Sequence, residues 1–208
     1  MGELVHDGVL RELVPDRAEN HDPPGGVVVE ADDVGVVVGD RHDAEVVVGH
    51  DMRDSSPGFA AAFARGAQAR GAHVVNLGLC STDETYFASG SWNAPAAMFT
   101  ASHNPAAYNG IKFSRAGAQG ISLDTGLAAI RDRACDYLEN GLETVATPGS
   151  YRGVDVLADY AGYLRSLVDL SGIKPIRVVV DAGNGMGGMT VPAVLGTAAG
   201  LSALPIEI

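Results

Sequence analysis

Residues 45–79 read EVVVGHDMRDSSPGFAAAFARGAQARGAHVVNLGL. An apolar run at 46–49 predicts a buried strand. Ser55-Ser56-Pro57 then predicts a helix start, with Ser56 as N-cap and Pro57 at the first helical position. That helix carries Phe59 and Phe63, runs to about Arg70 and stops at Gly71. A second strand follows over 73–79. Strand, helix and strand in this order form the repeating unit of an α/β protein.

The same alternation continues downstream. Ser81-Thr82-Asp83-Glu84 predicts a capping-box start to a short helix. Residues 96–100 predict a strand entering the polar segment TASHNPAAYNGIKF (100–113), and 110–114 a strand leaving it. A helix is expected over 124–139, stopped by Asn140-Gly141. The polar stretch 142–153 reads as a connector. Beyond it come a helix over 154–170, a buried strand over 176–180, the glycine-rich DAGNGMGG, and a strand opening at 204–208. Residues 1–44 are the least regular: Pro23-Pro24-Gly25-Gly26 marks a break, and a short helix near 9–13 is the only amphipathic candidate there. The alternation implies an α/β sandwich with a largely parallel sheet.

The chain has 208 residues and is 46% hydrophobic, as a folded protein should be. A formal net charge of −12 argues against nucleic-acid binding through phosphate contacts. No apolar run approaches the roughly 20 residues of a membrane helix, and the N-terminus has neither a secretory nor a myristoylation pattern. A cytoplasmic protein without membrane or nucleic-acid partners is the expectation. Cys80 and Cys135 lack metal-type spacing and read as reduced thiols.

The segment 100–113 gathers a hydroxyl (Ser102), an imidazole (His103), an amide (Asn104) and an ammonium (Lys112). Only two of the 14 basic residues are lysines, Lys112 and Lys174. A strand–loop–strand pattern puts Ser102 at the carboxyl end of a strand, where open α/β sheets bind ligands. A hydrogen-bonded turn is the simpler alternative. In extended backbone neighbouring side chains diverge, so His103 is not expected to serve as base to Ser102 in a hydrolase dyad, and no G-x-S-x-G elbow exists. Asp51-x-Arg53-x-Ser55-Ser56, between strand and helix, suits an anion site; an Arg–Asp pair tying that loop together is the competing reading. Gly183-x-Gly185-x-x-Gly188 fits the dinucleotide fingerprint, with Glu207 at about the distance of a ribose-binding acid. Against it, Asp181-Ala182 separate the strand from the first glycine, and Pro192 is expected to interrupt the helix.

TASHNP followed by YNGIKF resembles the active-site loop of the α-D-phosphohexomutases, the phosphoglucomutase and phosphomannomutase superfamily. VVVGHDMRDSSP (46–57), STDETYFA (81–88) and VVVDAGNGMGG (178–188) extend the resemblance, in the right order, over about residues 45–200. It is strongest to the bacterial phosphomannomutase/phosphoglucomutase branch. The resemblance implies a three-layer α/β/α sandwich with a mixed, largely parallel sheet over 45–150. It further implies the start of a second similar domain over 151–208, behind an atypical segment 1–44. It also implies an isomerase acting on glucose or mannose 1- and 6-phosphates through a bound 1,6-bisphosphate. Ser102 matches the serine that carries the phosphoryl group, with Mg²⁺ on a phosphoserine oxygen. Lys112 matches a lysine beside it, and His103 and Asn104 match loop residues that orient phosphoserine and sugar. Arg53 is a further substrate-binding candidate. Asp181 reads as a turn residue.

The sequence also departs from that family. Its metal loop, Asp-Gly-Asp-x-Asp-Arg, is absent, as are the sugar-recognition segment of the third domain and the phosphate loop of the fourth. The Tyr-Asp-x-Arg-Gly-like opening is missing too, Val14-Pro15-Asp16-Arg17 being the nearest string. A fragment that does not turn over alone is the expectation, with 1–44 arising from a shifted frame or a wrong start.

Overall fold

The computed structural model describes residues 44–142, 144–169 and 178–196. Six strands form one mixed sheet: β1 (Glu45–His50), β2 (His73–Leu79), β3 (Ala96–Phe99), β4 (Ile111–Arg115), β5 (Gln119–Gly120) and β6 (Tyr151–Gly153). Their order is β5-β4-β3-β1-β2-β6. β3, β1, β2 and β6 run parallel; beyond β3, β4 pairs antiparallel with β3 and β5 antiparallel with β4. The mixed α/β fold read from the sequence is the one observed.

β1 shows why the sheet sits between helices. Val46 and Val48 point into one core and Val47 into another, and all three are buried. A parallel strand covered on both faces needs a continuous apolar run rather than alternation. On the first face lies α1 (Ser56–Ala69), whose Phe63 meets Phe99 edge-on with ring centroids 5.6 Å apart and Phe113 at 6.0 Å. Ile130 and Ala134 of α3 (Leu127–Asn140) complete that core. On the second face, Ala88 of α2 (Thr82–Trp92) packs with Leu77, Cys80, Met98 and Val156. Two later helices, α4 (Leu157–Leu167) and α5 (Gly187–Leu195), pack on one another.

Several expectations need adjustment. The helix expected over 124–139 is split: a 3₁₀ turn at Leu123–Thr125 precedes α3, and Gly126 between them has φ 144°, which only glycine adopts readily. The connector over 142–153 contains β6, which pairs with β2 from Val74↔Tyr151 to Asn76↔Gly153. The helix expected over 154–170 starts later. Val154 N–H still extends the sheet pairing to Asn76 O at 2.9 Å, and Asp155 then accepts from Leu157 N–H. Of the strand expected over 176–180, residues 178–180 are described and are not strand; Val179 is 93% exposed. A β-branched run takes up strand geometry through a pairing neighbour, and none is found for it among the described residues. Pro192 does not stop its helix either, since α5 runs through it to Leu195. The expectations for 1–43 and 204–208 lie outside the described residues. No helix among the described residues is long and apolar enough to cross a membrane.

Candidate active site

The carboxyl ends of β1 and β3 lie side by side, and Asp51 N–H donates to Phe99 O at 3.0 Å. Two loops therefore abut: residues 51–55, leading into α1, and residues 100–110, between β3 and β4. Thr100 N–H to Gly110 O (2.9 Å) closes the neck of the second loop. Within it, Asn104 N–H bonds Ala101 O and Tyr108 N–H bonds Pro105 O, two consecutive turns. Ser102, His103 and Asn104 are exposed on its outer side.

Ser102 has φ 56°, the left-handed region, which costs a serine stability unless the surroundings hold it there. Its N–H donates to the buried Thr100 Oγ1 at 2.9 Å. The left-handed turn has a consequence that extended backbone would not. Ser102 Oγ and His103 Nδ1 are 3.5 Å apart, the outer edge of hydrogen-bond range, in place of the diverging side chains expected from the sequence. That divergence holds for strands, and Ser102 is not in one.

The main support for the loop comes from Arg53. One terminal nitrogen, Nη1, donates to Pro105 O and Tyr108 O, both at 2.9 Å. The other, Nη2, donates to Ser102 O at 2.8 Å and Asn104 O at 2.7 Å. Nε lies 3.3 Å from Asp51 Oδ2, an ion-pair distance, and is buried without a hydrogen bond. Asp51 is itself buried. Its Oδ1 accepts from Arg53 N–H at 3.1 Å and from Ser56 Oγ at 2.6 Å. This last bond moves the helix start by one residue: Ser56 is the first helical residue, Ser55 is the N-cap and Pro57 is second. The Ser56 hydroxyl is drawn to a carboxylate rather than to a helix amide. At the loop's far end, Asn109 Nδ2 donates to Ser55 Oγ (2.8 Å) and Ser56 Oγ (2.9 Å).

Of the sequence candidates, Ser102, His103 and Asn104 thus share one loop. Lys112 stands exposed on β4, opposite Met98 in the antiparallel register, so both side chains belong to the same sheet face. Arg53, named in the sequence as a substrate-binding candidate, has all four of its terminal N–H donors directed at carbonyls of this loop. The competing reading, an Arg–Asp pair, matches the geometry but covers only half of it. Thr100 and Asn109 are supports that sequence reasoning missed; the Asn-Gly turn is visible in the sequence, but nothing local links it to Ser55.

DAGNGMGG is a turn. Asp181 Oδ1 accepts from Gly183 N–H (2.9 Å), Gly183 has φ 52°, and Gly185 N–H bonds Ala182 O (2.8 Å). Residues 178–180 just before it are not strand, so among the described residues the dinucleotide fingerprint lacks its context, and Asp181 sits in a turn. Among the described residues no group of three or more His, Cys, Asp or Glu could hold a metal ion. These residues therefore do not fit the Mg²⁺ implied by the resemblance, beyond whatever a phosphate on Ser102 would contribute.

The family model described as phosphoglucomutase/phosphomannomutase, alpha/beta/alpha domain I, matches residues 29–138. The chain is 45% identical over 148 residues to a protein of Xanthomonas campestris named phosphohexose mutases, covering 70% of this chain and 32% of that one. It is 36% identical over 167 residues to a phosphomannomutase of Vibrio cholerae, covering 80% and 35%. A crystal structure of a phosphoglucomutase/phosphomannomutase family protein from Burkholderia thailandensis superposes with a TM-score of 0.68 at 31% identity, covering 85% of this chain and 37% of that one. The chain spans about a third of the length of the curated relatives it matches. With the serine loop on the sheet edge and the family match running through both abutting loops, the chain belongs to the phosphoglucomutase/phosphomannomutase family.

Proposed function

We propose that the chain carries the phosphoryl-accepting serine loop of a phosphohexomutase interconverting hexose 1-phosphate and hexose 6-phosphate of glucose or mannose. Ser102 is the acceptor and donor. In the forward step the bond from Ser102 Oγ to phosphorus breaks as a sugar hydroxyl oxygen bonds the phosphorus. The hydroxyl proton leaves to a nearby base, the freed Ser102 Oγ takes up a proton, and a bound 1,6-bisphosphate results. In the return step Ser102 Oγ bonds the other phosphorus of that bisphosphate as the sugar oxygen–phosphorus bond breaks; the serine proton passes to the base, and the released sugar oxygen takes up a proton to become a hydroxyl. Such transfers depend on in-line positioning and charge neutralisation. Lys112 supplies a positive charge and a proton route on the adjoining strand. His103 and Asn104 orient the phosphoseryl group and the sugar. The protein works in the cytoplasm with both thiols unpaired.

The observation that carries this reading is an exposed serine held in a left-handed turn at the carboxyl edge of the sheet. Intact-mass analysis after incubation with glucose 1,6-bisphosphate tests it. One added phosphate, mapping to Ser102 and lost in Ser102→Ala, is the expected outcome; an unmodified chain counts against it. A second reading, a domain that accepts phosphate or merely scaffolds without turning over, is favoured by the lack, among the described residues, of a group of three or more His, Cys, Asp or Glu that could hold a metal ion. Phosphate on Ser102 without conversion of mannose 1-phosphate or glucose 1-phosphate would support that one.

A further inference from the structure

We infer that Arg53 is the positioning residue of the serine loop: its guanidinium fixes the backbone that presents Ser102, and it acts through that backbone rather than on substrate. A guanidinium has two hydrogens on each terminal nitrogen. Here each of the two terminal nitrogens reaches two carbonyls, those of residues 102, 104, 105 and 108. Four carbonyls from one seven-residue span converge on a single cation. That arrangement orients every turn of the loop at once, including the left-handed residue that bears the hydroxyl. The arginine is held in its turn by Asp51, which Ser56 and the Arg53 N–H fix in place. Asn109 pins the remaining end of the loop to the start of α1. Lysine cannot reproduce this. It keeps the charge but has a single nitrogen with three donors and no planar fork. A phosphate ligand would have to displace the loop carbonyls to reach the same donors.

The consequence for catalysis rests on the proposed role of Ser102; the clamp itself does not. Amide exchange of the 208-residue chain, read residue by residue by NMR, tests the clamp first. The amides of Ser102, Asn104 and Tyr108 bond within the loop. In Arg53→Lys and Arg53→Ala their exchange should rise about tenfold or more, since charge-assisted bonds that order the loop are lost, while β1–β3 amides stay as they were. Unchanged loop exchange in both variants overturns the inference. If neither variant folds, the unmodified chain decides: Arg53 Nη protons locked by four carbonyls give separate resonances, whereas one averaged signal overturns the clamp. The transfer step supplies an independent readout. Phosphorylation of Ser102 by glucose 1,6-bisphosphate should lose kcat in Arg53→Lys with KM unchanged; a raised KM at unchanged kcat would assign Arg53 to substrate and overturn the positioning role. Failure of the unmodified chain to take up phosphate would count against the proposed function alone, with the exchange data still deciding the clamp.

Discussion

Gly49 lies near the end of the buried run of β1, facing Cys80, Thr85 and Met98. A Cβ there would fall on Cys80 Sγ and 2.8 Å from Thr85 Oγ1. Gly49→Ala should therefore cost about 1–3 kcal/mol through overpacking, read as a lower urea midpoint with an unchanged slope. Cys80 offers a second check. Burial, and then the nearby charges of Glu84 and Asp51, push its thiol up to about 11 from 9.0, against a lowering bond from Thr85. Because the folded value is the higher one, the neutral thiol's contribution to stability is whole below the unfolded value. It is lost as pH climbs through about 11. Stability should decline over that window in the natural chain and decline less in Cys80→Ala. At neutral pH a thiol reagent should label the exposed Cys135 and reach Cys80 only after unfolding. At this scale the sequence was only partly legible. The identities of Ser102, His103, Asn104 and Lys112 stood out, but their geometry did not. A single left-handed residue overturns the side-chain divergence expected of a strand. The partners of Arg53 lie 49 to 55 positions away and leave no local pattern.

α2 begins as its sequence says it should. Ser81 Oγ accepts from Glu84 N–H at 3.2 Å, and Glu84 Oε2 accepts from Ser81 N–H at 2.7 Å. Ser81→Ala should cost about 1 kcal/mol by thermal or chemical unfolding. The strands with apolar runs were likewise readable, since β1, β2 and β3 are buried on both faces and few other elements could hold such runs. β6 was not. All three of its residues are exposed, and it exists through pairing with β2 and through the approach of Gly149 to the Ala72 carbonyl. A Cβ at Gly149 would collide with that backbone. Gly149→Ala should therefore detach the edge, exposing the amide of Val74, which now donates to Ser150 O. Faster exchange at Val74 and Val154, with the first turns of α1 unaffected, is the expected result; the last turn, whose Gln68 bonds Gly149, is the one part of α1 expected to loosen. The split before α3 escaped the sequence for a related reason: a helical pattern shows which residues share a face, not where one glycine turns the chain.

Across the whole molecule, stability should grade outward from β1. It has parallel neighbours on both sides and helices on both faces, whereas β5 has two residues and β6 three. Native-state exchange should find the slowest amides in β1, β2 and β3 and the fastest in β5 and β6; a slow β6 with a fast β3 would reject that gradient. The order of elements was legible because alternating strands and helices admit few parallel arrangements. The chain beyond β6 was harder to read, and Val179 shows why: an apolar triplet becomes a strand only beside another strand, and none lies beside it among the described residues. The two halves of the serine-loop clasp have a further meaning. Arg53 sits after β1 and its four carbonyls after β3, so they meet only once the crossover through α1, β2 and α2 has placed those strands side by side. An ordered loop is therefore a proofreading mark for the finished topology. A chain with its strands wrongly shuffled would still contain Ser102, yet would offer it on slack backbone.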